Sequence, residues 1–521
     1  MRREPERAKQ ASTKPGAADA QAEAMAFLLD PETHGGLAVD HMETHMSHVF
    51  LVGEFAYKMK KAVKLDFVDF TRLEDRRRAS EREVEINRRT APDIYLGVVA
   101  VNREGGRLAL GPPTSPIDYL VKMRRFDQTD LLDHIAAEGR LTPKHVRDLA
   151  DAIAALHLSA ARAFDPRETE DFEVTARTLA ARLEAHGQDP RAAAAVRAWA
   201  VKMEARLAAL APLTRARARR GAVRHGHGDL HLRNICLFHG EIRLFDAIEF
   251  EPKFSHIDVL YDLAFVLMDL SHRAADAEAT ALLGRYLCAT RDYSGVALLR
   301  LFISVRAAVR ALVALLDPAP GKLDEALSYL DQGEAALSEP AGPRLIAIGG
   351  RSGTGKSTLA QALAPALASV PNVIVIRSDE VRKRIFGVAP ETRLPPSAYA
   401  PRVSDAVYRR LFRDARRALD ANATVILDAA FLEPDRRDEA IRAARAAGAP
   451  FTGLWLSAEE AVLTRRLERR FDDASDADVA VLSRQTDAEE TPGWTRLSAG
   501  RDIERMCEAA LVSIGLQDRS V

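Results

Sequence analysis

The sequence predicts two domains of different class: an α+β domain over residues 31–337 and an α/β domain with a parallel sheet over residues 344–521. Three observations predict this division. The 521 residues exceed what one hydrophobic core organises, since cores stop growing at roughly 250–300 residues. SEPAGP, residues 338–343, holds two prolines and a glycine and reads as a linker. Strands followed by long helices precede it, whereas short apolar runs alternating with helical stretches follow it, the pattern of a parallel sheet covered by helices.

Composition narrows the function classes. Hydrophobic residues make up 47% and charged residues 29%, which suits packed cores and excludes a disordered or fibrous chain. Lys+Arg number 74 against 75 Asp+Glu, a net charge of −1, so no global positive field draws the chain to nucleic acid. Cys236, Cys288 and Cys507 lie far apart without a CxxC pair, which argues against a disulfide framework or a thiolate metal site. No apolar run approaches the roughly 20 residues that span a bilayer. The polar N-terminus lacks the apolar core of a secretion signal, so no membrane association and a cytoplasmic location are expected.

Residues 1–30 are expected to form a disordered tail. HVFLVGEFAYKMKKAV (48–63) reads as a hairpin around Gly53, residues 72–89 as a charged helix, and 94–102 and 119–126 as further strands. Residues 142–217 follow a helical period rich in Ala, Leu and Arg. A strand-rich island at 224–250 interrupts it, and helices resume over 260–337. The first domain is therefore a small β-rich lobe followed by a larger helical one.

In the second domain RLIAIGG, NVIVIRSD, TVILDAAF and FTGLWLS read as strands. After the first comes Gly350-Arg-Ser352-Gly353-Thr354-Gly355-Lys356-Ser357-Thr358, which fits G-x-x-x-x-G-K-[ST] between a strand and a helix. Glycines let backbone N–H groups turn toward a phosphate, and the helix N-terminus adds positive potential. Lys356 offers a point charge to phosphates and Ser357 a hydroxyl to Mg²⁺. Asp379 follows a strand at the ligand edge of such a sheet, either to take a proton from an acceptor hydroxyl or to cap the next helix. Asp428 ends another strand, as a Mg²⁺ ligand or a turn residue. Arg466 and Arg470, four apart on a helix, form either a phosphate clamp or a solvated basic face.

A second constellation lies in the strand-rich island. In His227-Gly-Asp229-Leu-His231-Leu-Arg-Asn234, Asp229 fits a base for an acceptor hydroxyl and Asn234 a metal ligand. Asp246, twelve residues on and after a short strand, adds an anionic metal ligand.

These motifs carry resemblances. Residues 35–335 resemble the aminoglycoside-phosphotransferase-like branch of the protein-kinase-like fold, through the loop of Asp229 and Asn234, through Asp246, and through Tyr261-Asp262-Leu-Ala264. This implies a bilobal fold in which Lys58 of FAYKMKK meets nucleotide phosphates, Glu83 is its ion-pair partner (with Glu81 and Glu85 as alternatives), and Asp262 is structural. ETHMSHVFLVGE, ahead of Lys58, departs from the family by lacking G-x-G-x-x-G. Residues 344–515 resemble small P-loop kinases of the gluconate-kinase-like, zeta-toxin-like and polynucleotide-kinase-like groups, through GRSGTGKST, RSDEVRKRIFG, VILDAAFLEPDRRDEA and LTRRLERR. This implies that Asp379 activates the acceptor and that Arg466 and Arg470 belong to a lid. The whole chain resembles a bacterial two-domain family of bifunctional aminoglycoside phosphotransferase and AAA-family ATP-binding proteins.

The expectation is an ATP- and Mg²⁺-dependent kinase acting on hydroxyls of small molecules, with two tandem ATP sites. Asp127, Asp130 and Asp133 are candidates for an acidic cleft that would suit a polycationic acceptor. Two alternatives remain: a first domain that senses a ligand and regulates the P-loop half, or a P-loop half that acts on nucleic-acid ends through Arg382, Lys383 and Arg384.

Overall fold

The computed structural model describes residues 17–516, apart from 66–67, 166, 168, 170, 339–341, 368–371, 470–473, 488–490 and 501. The first lobe is an antiparallel six-stranded sheet in the spatial order Val39–Glu43, Ser47–Val52, Phe55–Lys60, Pro116–Arg124, Tyr95–Glu104, Arg107–Gly111. Alternation along Phe55–Lys60 sets Ala56, Lys58 and Lys60 on one face. Helix Leu73–Asn87 packs its buried side, with Glu83 and Val84, against this sheet.

The expected disordered tail is corrected over part of its length: Ala17–Leu29 is a helix. Ala24 and Leu28 are fully buried against Phe50, Met59 and Leu120. Gln21 donates to Lys60 O and Asp118 Oδ2 at 2.9 Å and accepts from Ala62 N at 2.7 Å. Burial of this small apolar stripe ties down a segment whose composition alone reads as tail. The residues before it lie outside the described ones.

The hairpin tip that lacks glycine forms nonetheless. Ser47 N donates to Thr44 Oγ1 at 3.0 Å and Thr44 Oγ1 to Ser47 O at 3.1 Å. Lys61 holds Glu43 Oε1 at 2.6 Å and also contacts Thr44 O. Side-chain bonds supply the turn that glycines would otherwise supply.

The helical lobe is built from Pro143–Ser159, Phe172–His186, Pro190–Arg219, Val259–His272, Asp276–Thr290, Leu299–Leu316 and Lys322–Leu337. Val259–His272 is buried from Val259 to Leu270. It runs through the lobe centre, so its acids Asp262 and Asp269 are buried and must be answered by hydrogen bonds.

The second domain is a five-stranded parallel sheet in the order Val373–Arg377, Thr424–Asp428, Leu345–Gly350, Phe451–Ser457, Trp494–Ser498. The first three are apolar almost throughout because helices cover both faces. Their C-terminal ends bring Arg377, Asp428 and Gly350 to one edge, where ligands bind in open α/β sheets. Of the expected linker 338–343, residues 339–341 lie outside the described residues.

The domains share one continuous apolar core, in which Leu283 and Tyr286 of helix Asp276–Thr290 join Ile374 and Tyr408 of the second domain. Gly284 permits the approach: a Cβ there would stand 3.4 Å from Val375 O. Arg285 pairs with Asp151 at 2.7 Å and with Glu391 at 2.8 Å, across the junction. Arg384 donates to Cys288 O at 2.9 Å and pairs with Asp414. Among the described residues, no helix is long and apolar enough to cross a membrane.

Candidate active sites

In the first domain, residues from five elements converge. Lys58 Nζ lies 2.9 Å from Glu83 Oε1 and 2.5 Å from Asp246 Oδ1. Glu83 is fully buried, whereas Glu81 and Glu85 pair with Arg77 and Arg82 on the exposed face of the same helix. Lys60 Nζ contacts Glu83 Oε2 at 2.6 Å and also Glu249. Burial alone would lower the Lys58 ammonium, but Asp246 and Glu83 more than offset it and hold it well above the ordinary lysine range. Lys60 is raised in the same way by Glu249 and Glu83.

Asn234 Nδ2 donates to Asp229 O at 2.9 Å and Asp229 Oδ2 at 3.0 Å, closing the loop between them. Burial pushes the Asp229 carboxyl up, but His231, 3.3 Å away, with His227 and Arg306, more than offsets this and holds it well below the usual range. Asp246 adopts φ 60°, a left-handed conformation that aspartate tolerates. Its N–H donates to Tyr95 Oη at 3.1 Å, and the next N–H, of Ala247, to Asn87 Oδ1 at 2.8 Å.

Asp262 fixes the loop from beneath. It accepts from His227 N at 2.6 Å and Gly228 N at 3.1 Å, and His157 Nε2 lies 3.2 Å away. A Cβ at Gly226 would fall 2.4 Å from Asp262 Oδ2, so glycine is required there. Burial opposes ionisation of Asp262, but the bond to His157 and the charges around it bring its carboxyl down to about 2. Its folded value lies below the unfolded one, so its contribution is complete above about pH 5 and lost as pH falls toward 2. Asp262→Ala strands two buried N–H groups and is expected to cost about 3 kcal/mol or more. Urea denaturation at neutral pH measures this.

In the second domain, Gly350, Gly353 and Gly355 take φ of 135°, 83° and 89°. A Cβ at Gly350 would lie 2.4 Å from Leu456 O. Lys356 Nζ donates to Arg351 O at 2.9 Å and Thr354 Oγ1 to the same oxygen at 2.8 Å. Ser352 N donates to Gln485 Oε1, and Thr358 is exposed in the first turn of helix Lys356–Leu367. Ser357 Oγ donates to Asp428 Oδ2 at 2.6 Å. Arg377 bridges the two, 3.1 Å from Ser357 Oγ and 3.2 Å from Asp428 Oδ2. Asp379 stands in the first turn of helix Ser378–Phe386, and burial, against the pull of nearby Arg377, raises its carboxyl above the ordinary range. Arg466 reaches over the loop, 3.5 Å from Gly353 O, and donates to Ala499 O at 2.8 Å. Arg470 lies outside the described residues.

Oxygen donors suited to a hard cation such as Mg²⁺ meet in both places: the Asn234 amide beside Asp229 together with Asp246, and Ser357 with Asp428. One expectation is corrected. Lys383 is fully buried against Asp476, the partly buried Arg384 pairs with Asp414, and Arg382 donates to Ala398 O, so the three basic residues are turned onto internal partners and form no groove. Asp127 accepts from Thr129 N at 2.9 Å and lines a surface cleft beside Phe126 and Gln128, and Asp133 Oδ2 lies 3.2 Å from Arg233 Nε.

Comparison with known proteins bears on both halves. Residues 119–299 match the model of the phosphotransferase enzyme family, and residues 345–492 match an AAA domain model. The uncharacterized protein Rv2004c of Mycobacterium tuberculosis is 30% identical over 462 residues, covering 86% of this chain and 90% of its own; Mb2027c of Mycobacterium bovis matches equally. The chain belongs to the same two-domain family. This phosphotransferase–P-loop chain is accordingly an ATP-dependent kinase. Among solved structures it is similar to a choline/ethanolamine kinase family protein from Mesorhizobium loti (14% identity, TM-score 0.40, 62% of this chain and 96% of that one). It is also similar to a gluconokinase from Sinorhizobium meliloti (20% identity, TM-score 0.24, 33% and 92%).

Several residues of the two clusters escape sequence reasoning. Lys60 and Glu249 have no local signature beyond proximity to Lys58 and Asp246. Arg377 directly precedes the Ser-Asp pair, and its position at a strand end adjoining the P-loop strand's neighbour is the signal that would have found it. His231 sits inside the run from His227 to Asn234, two residues from Asp229.

Proposed function

We propose that this kinase has two ATP sites in tandem, each transferring a phosphoryl group to a hydroxyl of a small molecule. The observation that carries the reading is the same in both domains: a lysine, oxygen donors for a metal and a nearby carboxylate gather in one cluster. Mg·ATP supplies the phosphoryl group. In the first domain Lys58, held by Glu83, neutralises phosphate charge, Asn234 and Asp246 hold Mg²⁺, and Asp229 orients the acceptor hydroxyl and takes its proton. A cleft lined by Leu51, Phe126 and Gln128 supports a base site, because Leu51 faces Ala56, which shares the sheet face of Lys58. In the second domain the backbone of Gly350–Gly355 and Lys356 cradle phosphates, Ser357 and Asp428 hold Mg²⁺, Arg466 neutralises charge, and Asp379 is the base.

Equilibrium binding of a non-hydrolysable ATP analogue with Mg²⁺ tests the tandem claim. Two molecules per chain are expected, falling to one in either Lys58→Met or Lys356→Ala. A single site in the wild type overturns the reading.

Asp379 gives a further prediction. Its folded pKa is raised, so its ionised form costs stability at neutral pH. Asp379→Asn is expected to abolish transfer by the second domain without lowering Tm, and the wild-type rate falls as pH drops through the raised value. A clear fall in Tm in the variant contradicts this.

The glycine-free tip at residues 44–46 favours a second reading of the first domain, a ligand sensor that regulates the P-loop half. Unchanged phosphorylation of every acceptor by Asp229→Asn would support the sensor.

A further inference from the structure

Arg377 ends strand Val373–Arg377 directly beside Asp428, the last residue of the neighbouring strand Thr424–Asp428. Its guanidinium donates from Nη2 to Ser357 Oγ at 3.1 Å and from Nε to Asp428 Oδ2 at 3.2 Å. Ser357 Oγ in turn donates to the same Asp428 oxygen at 2.6 Å. The three groups close a triangle, and both oxygens suited to a metal are already in contact with a protein cation. The Arg377 side chain is 13% exposed and that of Asp428 6%, so water and salt screen this pair little.

A divalent cation that reaches Ser357 Oγ or Asp428 Oδ2 meets this guanidinium at contact distance, and the two positive charges repel. Nucleotide phosphates change the balance, because they bring further oxygen ligands and negative charge to the metal. Arg377 also has a second anchor. Its Nη1 lies 3.4 Å from Oε1 of Glu380, three residues on in the first turn of helix Ser378–Phe386. Burial pushes the carboxyls of Glu380 and Asp379 up, and the charge of Arg377 is the chief pull against it in both. A guanidinium that stays on Glu380 therefore gives up Ser357 and Asp428 without losing its counter-charge.

We propose that Arg377 competes with the divalent cation for Ser357 and Asp428, so that the second domain takes its metal together with nucleotide phosphates rather than free from solution. The proposal rests on the reading of Ser357 and Asp428 as the metal donors of that domain. Arg377 is a positioning residue here. It keeps Ser357 and Asp428 aligned, yields both oxygens as Mg·ATP enters, and remains on Glu380 beside the proposed base. The planar guanidinium spans a hydroxyl and a carboxylate at once through two of its N–H donors, which a lysine ammonium, as a point charge, does less well.

The test follows Mn²⁺, which shares the oxygen ligands of Mg²⁺, through the electron paramagnetic resonance signal of the unbound ion. The full chain carries Lys58→Met and Asp246→Asn throughout, so that the first domain contributes neither nucleotide nor metal binding. Without nucleotide, Mn²⁺ is expected to bind with a Kd above about 1 mM. Arg377→Met should tighten this about tenfold or more, since it removes the competing charge. Arg377→Gln keeps N–H donors without the charge and should show a similar gain, and Arg377→Lys a smaller one. Adding Asp428→Asn to Arg377→Met should abolish the gain. With a non-hydrolysable ATP analogue present, Arg377→Met should change Mn²⁺ affinity less than about threefold, because the guanidinium has already withdrawn. A thermal melt checks that each variant is folded. Nucleotide-free Mn²⁺ binding that stays within about threefold of the wild type in the folded neutral variants overturns the proposal. So does submillimolar binding by the chain with Arg377 intact. Analogue-dependent Mn²⁺ binding unchanged by Asp428→Asn refutes the metal reading itself, whereas binding that needs Asp428 yet ignores Arg377 refutes the competition alone, which separates the two failures.

Discussion

Asp229→Asn is expected to lower acceptor-dependent ADP release by the first domain about a thousandfold, the usual scale for losing a positioned base. The substitution keeps the shape of the side chain and removes its charge. Asn234 still reaches Asp229 O, so the loop keeps one of its two closing bonds. The anchoring of the loop by Asp262 is untouched, because it runs through the N–H groups of His227 and Gly228. Nucleotide affinity should therefore change little, since Lys58, Glu83 and Asp246 do not contact the substituted atoms. The effect should fall on kcat rather than on the binding of an ATP analogue, and initial rates in a Lys356→Ala background measure it.

Lys356→Ala should reduce transfer by the second domain by a similar factor, about a thousandfold, because it deletes the ammonium at the end of the loop. The loop itself should persist. Its turns depend on the positive φ of Gly353 and Gly355 and on the bond from Thr354 Oγ1 to Arg351 O, none of which needs the ammonium. Arg466 remains over the loop and retains part of the charge, so residual phosphate binding is expected to exceed residual turnover. Rates with the first domain silenced by Asp229→Asn, alongside analogue binding, separate these two effects.

Much of the fold was legible in the sequence because each domain announces itself locally. Gly350–Thr358 between a strand and a helix, and the run from His227 to Asn234, concentrate their chemistry within a few residues. Glu83 was legible among its neighbours only as a choice between three glutamates of one helix. Burial makes the distinction: Glu83 faces the sheet, while Glu81 and Glu85 meet arginines on the exposed side. What stayed hidden depends on long-range contacts. Glu249 meets Lys60 across about 190 residues of chain, and Glu391 meets Arg285 across 106. Nothing near either residue encodes the partner. Arg382, Lys383 and Arg384 look like a basic patch in one dimension, yet helix Ser378–Phe386 packs into the junction and turns all three onto internal acceptors. Helix Ala17–Leu29 was missed for the opposite reason: few apolar residues suffice when a sheet edge and Asp118 are there to receive them.

The central claim is two independent transfer sites on one chain, and the partition of acceptors between single variants tests it most directly. Mg·ATP and fractionated small metabolites are offered to the wild type, Asp229→Asn and Lys356→Ala, and ADP release is followed for each fraction. Two separate sets of fractions should emerge, one lost only in Asp229→Asn and the other lost only in Lys356→Ala. Loss of every active fraction in Lys356→Ala, with none lost in Asp229→Asn, would contradict the claim and leave the P-loop domain as the single working kinase.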